Sequence, residues 1–223
     1  MGLLTLVRHG QASFGAADYD QLSPLGERQC AALGSYLAER GRHFEAVCTG
    51  TLRRHAQSLE ALASRLPGLP ERERIAALDE YDAEALVRAV APAGAPPVQR
   101  ADGDRREHFR LLRDGLARWM RGELQPAGMP SWADFRAGVA GTLEALRARY
   151  RGDVLVVSSG GPIATAVAHV LDAPPSAVVA LNLQLRNSAV CELTSTASRY
   201  MLVSFNALPH LDHPERAGWV SSS

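Results

Sequence analysis

The chain has 223 residues, 46% of them hydrophobic and 22% charged, with 24 basic residues balancing 24 acidic ones. That length buries a large core and suits one domain, or one domain with an insertion, and the zero net charge leaves no global field to recruit nucleic acid or an anionic membrane. Every basic residue is an arginine, which excludes a lysine nucleophile, a Schiff base or a P-loop lysine.

The first element is a buried strand over residues 2–7, and it stops on Arg8-His9-Gly10. The apolar stretch has no basic region before it and ends at Arg8, too short for a signal peptide or a membrane span. Ser23 is a suitable N-cap and Pro24 a suitable first residue for a helix whose apolar positions run to Leu37. Glu45 to Cys48 reads as a second strand. Thr51 is expected to cap a helix through Leu52, Leu59, Leu62 and Leu66, which Pro67-Gly68-Leu69-Pro70 breaks. Ile75 to Leu78 is the third strand candidate, followed by Asp79-Glu80-Tyr81-Asp82.

Residues from about 84 to 130 differ in character and read as an insertion or cap over the main sheet. They hold the loop 91–97 and an Arg-rich amphipathic surface helix over 105–122. Trp132 to Tyr150 is a further helix. Asp153 to Val157 holds a continuous apolar strand, and Ser158-Ser159-Gly160-Gly161-Pro162 leads into a helix through Val170. Two strands near 187–194 and 199–205 form a hairpin at the sheet edge. Strands alternating with helices predict an α/β domain over residues 1–223, with helices on both faces of a mostly parallel sheet. Cys30, Cys48 and Cys191 are odd in number and fit no zinc or disulfide spacing, so they read as core residues in a reducing cytoplasm.

The residues able to carry chemistry fall at strand-to-helix junctions, where open α/β sheets bind ligands. Arg8 expects an anion, because buried charges need partners, and Gly10 is expected to let the backbone turn sharply beside a ligand. His9 is the nucleophile candidate and Arg8 the first phosphate clamp. Arg53 and Arg54 sit in the first turn of a helix, where the dipole disfavours cations unless an anion lies nearby. Glu80 is the acid candidate, with Asp79 and Asp82 beside it. Ser159, Gly160 and Gly161 are expected to offer backbone N–H groups to an anion at a helix start.

The chain resembles the histidine phosphatase superfamily, also called the phosphoglycerate mutase-like family. The resemblance rests on Leu6-Val7-Arg8-His9-Gly10-Gln11, Ser23-Pro24-Leu25-Gly26-Glu27-Arg28-Gln29, Leu52-Arg53-Arg54-His55-Ala56-Gln57-Ser58, Leu78-Asp79-Glu80, and Val156-Val157-Ser158-Ser159-Gly160-Gly161-Pro162-Ile163. It implies a three-layer α/β/α sandwich, a phosphohistidine on His9 and no metal or other cofactor. It also selects Arg54 over Arg53 by the signature Leu-x-Arg-Ala-x-Gln-Thr, and makes Glu80 the acid. The implied activity is hydrolysis of a small-molecule phosphate ester, with mutase chemistry less favoured.

Two departures qualify that activity. Ser159 stands where the family carries a second histidine, a cationic donor to the phosphoryl oxygens. Losing one such preorganised donor typically costs on the order of 10²–10³ in rate. The alternative is therefore a weakened module that binds phosphate esters without processing them. Gly15 stands near where the family often carries an asparagine, with Gln11 or Ser13 as substitutes. His210, Asp212 and His213 read as a solvated tail rather than a metal site, although His210 could instead fold over the site in place of the missing histidine. His169 reads as a packed or surface residue, and Arg105, Arg106, His108 and Arg110 as a solvated helix face or contacts to a second substrate charge.

Overall fold

A computed structural model describes residues 2–13, 20–92 and 105–222. Gly15 and most of the loop 91–97 lie outside the described residues. Six strands form one mixed sheet in the order β3-β2-β4-β1-β5-β6: β1 (Leu3–Arg8), β2 (Ala46–Thr49), β3 (Arg72–Arg74), β4 (Val154–Ser158), β5 (Val190–Ser195) and β6 (Tyr200–Ala207). The first four run parallel, while β5 and β6 form the antiparallel hairpin at one edge. Thr49 is in register with Val157, and Arg8 with Ser158, so β1, β2 and β4 all end on one edge of the sheet.

Alternation across the strands divides the core. Val7, Val47, Leu155 and Val157 face α1 (Pro24–Glu39) and α2 (Arg53–Ala63), packing on Leu33, Leu37, Leu59 and Leu62. Leu4, Leu6, Cys48 and Val156 face the opposite way, onto α5 (Trp132–Arg149) and α6 (Gly160–Val170) through Val139, Leu143, Ile163 and Val167. The result is the expected three-layer α/β/α arrangement. A further apolar cluster joins α3 (Ala83–Val90) and α4 (Arg105–Met120) to α6 and α7 (Pro175–Gln184) through Leu86, Leu111, Leu116, Trp119, Ala164 and Val178. The Arg-rich helix thus buries its leucines and Trp119 against the main body and turns Arg106 and Arg110 to solvent.

Two elements differ from those the sequence predicts. Ile75 to Leu78 is not a strand: Ala76–Leu78 is a 3-10 turn, and the strand beside β2 is the polar Arg72–Arg74. An edge strand needs no apolar face, and charge there opposes further pairing; Glu73 pairs with Arg149 at 2.8 Å. Thr51 does not cap α2, whose N-cap is Leu52 without a side-chain bond. By contrast Ser23 caps α1 as expected, accepting from the Gly26 amide at 3.1 Å. Among the described residues no helix is long and apolar enough to cross a membrane.

Candidate active site

The exit of β1 is locked to both neighbouring strands. The His9 amide donates to the Ser158 carbonyl at 2.8 Å, and the His9 carbonyl accepts from the Ser188 amide at 3.1 Å. Gly10 is required here for close approach rather than for a sharp turn. A Cβ on it would strike the Gly26 backbone, so two glycines let the β1 exit and the start of α1 touch. The Gly10 amide donates to Ser58 Oγ at 3.0 Å, which ties the same loop to α2.

His9 is buried, with Nδ1 2.7 Å from the Gly10 carbonyl oxygen. A carbonyl can only accept, so Nδ1 carries the hydrogen and Nε2 keeps its lone pair. Burial, followed by the nearby Arg54, Arg8 and His55, holds the His9 ring well below its ordinary protonation range. Arg8 is buried and donates from Nη1 to the Leu185 carbonyl. Arg54 is buried at the start of α2 while Arg53 is exposed. The helix N-terminus tolerates these cations because Asp20 supplies an anion. Its carboxylate accepts from the Arg53 amide at 2.8 Å and pairs with Arg54 Nη1 at 2.9 Å. Asp20 thus fills the capping role expected of Thr51.

The three neighbouring acids have separate tasks. Asp82 caps α3, accepting from the Ala85 amide at 2.9 Å. Asp79 accepts from the Thr51 amide at 2.6 Å and from the Thr51 hydroxyl. Glu80 follows the 3-10 turn rather than ending a strand, and the Gly161 amide donates to both its oxygens, at 3.0 and 3.2 Å. The Gly161 N–H is therefore engaged by Glu80 and not open to an anion. Burial raises the Glu80 carboxyl above its ordinary range, against the opposing pull of Arg54, the Gly161 amide and Arg8. Gly160 opens α6 beside Arg8, with the Asn182 side-chain oxygen where a Cβ would stand.

Two residues of the site fall outside the sequence expectations, Asp20 and His55. His55 is fully buried, its ring centroid is 5.9 Å from that of His9, and its Nε2 is 2.7 Å from Ser159 Oγ. Ser159, also fully buried, lies 3.5 Å from Arg54 Nη2. The sign was present in the sequence, because the signature quoted above carries alanine where this chain carries His55.

The remaining candidates are placed elsewhere. Gln11 accepts from the Ser23 hydroxyl at 2.8 Å and Ser13 donates to the Leu22 carbonyl at 3.0 Å, so both serve local structure. His210 is not on a solvated tail. It is buried with its Nε2 2.8 Å from Ser188 Oγ, behind the β1 exit, while Asp212 and His213 are exposed. Among the described residues no group of three His, Cys, Asp or Glu side chains could hold a metal ion. His169 is exposed at the end of α6. Cys30, Cys48 and Cys191 are free and buried, and burial pushes each thiol up to about 11.

The family model described as the histidine phosphatase superfamily (branch 1) matches residues 4–90 and 99–208. Among solved structures, the mycobacterial glucosyl-3-phosphoglycerate phosphatase is similar at a TM-score of 0.66 and 24% identity, over 93% of this chain and 99% of that one. A protein from Bacillus stearothermophilus, YhfR, is similar at 0.70 and 16% identity, over 94% of this chain and 99% of that one. A phosphoserine phosphatase from Entamoeba histolytica is similar at 0.64 and 19% identity, over 95% of this chain and all (100%) of that one. At these identities the likeness is one of fold. No curated protein matches the chain.

Proposed function

Because the chain belongs to the histidine phosphatase superfamily (branch 1), we propose that it hydrolyses a small phosphomonoester through a phosphohistidine on His9. The observation that carries this reading is the state of His9. It is a buried neutral imidazole among Arg8, Arg54 and His55, with Nδ1 tied to a carbonyl and Nε2 left to attack. Arg8 and Arg54 both act on the charge of His9 and of Glu80, so the two guanidinium groups belong to the same electrostatic site as the nucleophile and the acid. Solved structures of the same fold include proteins named as phosphatases of glucosyl-3-phosphoglycerate and of phosphoserine.

In the first half-reaction Nε2 bonds to phosphorus and the bond to the ester oxygen breaks. Glu80, whose carboxyl burial raises above its ordinary range, gives its proton to that oxygen and an alcohol leaves. In the second, Glu80 takes a proton from water as the water oxygen bonds to phosphorus, and the P–N bond breaks to restore His9. The two guanidinium groups hold the non-bridging oxygens through both steps, which is the charge a metal would otherwise supply. Ser159 adds a hydroxyl to the same cradle.

Hydrolysis of p-nitrophenyl phosphate in the presence of a chelator, beside His9→Ala, tests this. Turnover that disappears with His9→Ala, and an acid-labile phosphoryl adduct trapped on the wild-type chain, are the expected results. Turnover that persists in His9→Ala refutes the reading. Phosphate binding without turnover by the folded protein converts it to a binding module.

A further inference from the structure

His55 is a buried titratable group that this reaction leaves unused, and both of its ring nitrogens face polar atoms. Nε2 is 2.7 Å from Ser159 Oγ, and Nδ1 is 3.6 Å from Asp79 Oδ1. Asp79 is itself held by the Thr51 amide and hydroxyl and by the Leu52 amide at 3.3 Å. Carboxylate, imidazole and hydroxyl come from three separate segments and stand in that order, the imidazole at hydrogen-bond distance from the hydroxyl and at ion-pair distance, just beyond a hydrogen bond, from the carboxylate. Gly50, at the end of β2, makes the meeting possible, because a Cβ there would strike both His55 Nδ1 and Asp79 Oδ1. A histidine packed only as filler needs none of this, and this one ends on a hydroxyl beside Arg54.

We propose that Asp79, His55 and Ser159 form a relay that presents the Ser159 hydroxyl as a directed donor to an oxyanion held by Arg8 and Arg54. This rests on the reading of the site as a phosphate cradle. With the ring neutral and its hydrogen on Nδ1 toward Asp79, Nε2 can only accept, and Ser159 gives its hydrogen to His55. Arrival of a dianion changes this arrangement. His55 takes one proton from solvent on Nε2 and donates it as a hydrogen bond to Ser159 Oγ. The Ser159 hydrogen then turns to the oxyanion.

No covalent bond is exchanged within the relay; the net change is one proton bound with the anion. The facing groups set the balance. Burial and Arg54 favour the neutral ring, Asp79 and Asp20 favour the cation, and neighbouring His9 opposes a second positive charge. A bound dianion adds to the side of the cation. Ser159 touches the oxyanion, while His55 and Asp79 act through it as positioning residues.

Sulfate, a dianion across the whole neutral range, reads the relay without turnover. On a His9→Gln background, which removes the other buried imidazole of the cradle, sulfate affinity is measured calorimetrically from about pH 8 to about pH 6. It is expected to rise toward tenfold per pH unit, the slope of one proton taken up. Adding either His55→Gln or Ser159→Ala is expected to flatten that slope. A slope unchanged by both overturns the proposal, as does a wild-type protein that binds no sulfate. If His55→Gln does not fold, Ser159→Ala, which deletes one oxygen, decides alone. A protein that shows the slope yet hydrolyses no phosphate ester keeps the relay and loses the phosphatase reading.

Discussion

The Gly161 amide donates to both carboxylate oxygens of Glu80, at 3.0 and 3.2 Å. A residue 81 positions away thus aims the acid at the start of α6, while burial raises the carboxyl above its ordinary range. The pairing fixes orientation and acidity together, since a bond from an N–H favours the ionised form and burial the neutral one.

Glu80→Gln keeps the shape and removes the proton donor. With an alkyl phosphate, whose alcohol must be protonated to leave, kcat is expected to fall by roughly 10²–10⁴. With p-nitrophenyl phosphate, whose leaving group departs as the anion, the loss is expected to be much smaller. Equal losses on both substrates would remove Glu80 from the role of acid.

Asp20 serves both the helix and the site, and two substitutions separate the roles. Asp20→Asn keeps one oxygen, enough for the short bond from the Arg53 amide, but loses the second acceptor, which takes the longer bond from the Arg54 amide, and the charge that faces Arg54. Phosphate, measured by calorimetry, is expected to bind Asp20→Asn more tightly, with a smaller drop in the unfolding midpoint than Asp20→Ala shows. Asp20→Ala also loses the cap and is expected to unfold about 1 kcal/mol more easily. Weaker phosphate binding by Asp20→Asn would mean that the carboxylate helps to place Arg54.

The parts legible in the sequence were those whose causes are local. The apolar runs at β1 and β4 and the Ser23 cap follow from neighbouring residues. What escaped depends on contacts between distant segments. The edge strand Arg72–Arg74 is held by β2 and shows no apolar pattern of its own. Helix α2 starts under the carboxylate of Asp20 rather than the adjacent Thr51 hydroxyl. His55 and Ser159 are 104 residues apart, so neither position alone reveals that they meet. His210 was read as solvated from its prolines and charges, but its ring is enclosed beside Ser188.

That enclosure has a measurable consequence. Burial and then Arg216 lower the His210 ring from 6.5 to about 3. The folded chain therefore holds it neutral where the unfolded chain binds a proton, so stability is complete above the unfolded value and falls as pH drops through it. At pH 5 this single group accounts for about 2 kcal/mol of lost stability relative to neutral pH. His9 and His55 act in the same direction. His210→Gln should therefore be less stable than wild type near neutral pH and show a loss on acidification smaller by about that amount, read from urea melts at the two pH values. An identical loss in both proteins would exclude His210 as the source.

The contact between His55 and Ser159 also predicts how the site responds to exchange of the two side chains. Ser159→His alone sets a ring where only 2.7 Å separates Ser159 Oγ from His55 Nε2, in a pocket where both residues are fully buried. Overpacking of this kind typically costs about 1–3 kcal/mol, and the single variant is expected to melt lower and turn over more slowly. His55→Ala alone opens a cavity and leaves Ser159 without its ring partner, which costs stability as well as rate. Combining the two moves one imidazole from α2 to the start of α6 with nearly conserved volume. The double variant is therefore expected to regain both melting temperature and turnover relative to either single one. Additive losses in the double variant would show that the two positions do not share one space, and that the imidazole serves only where it now stands.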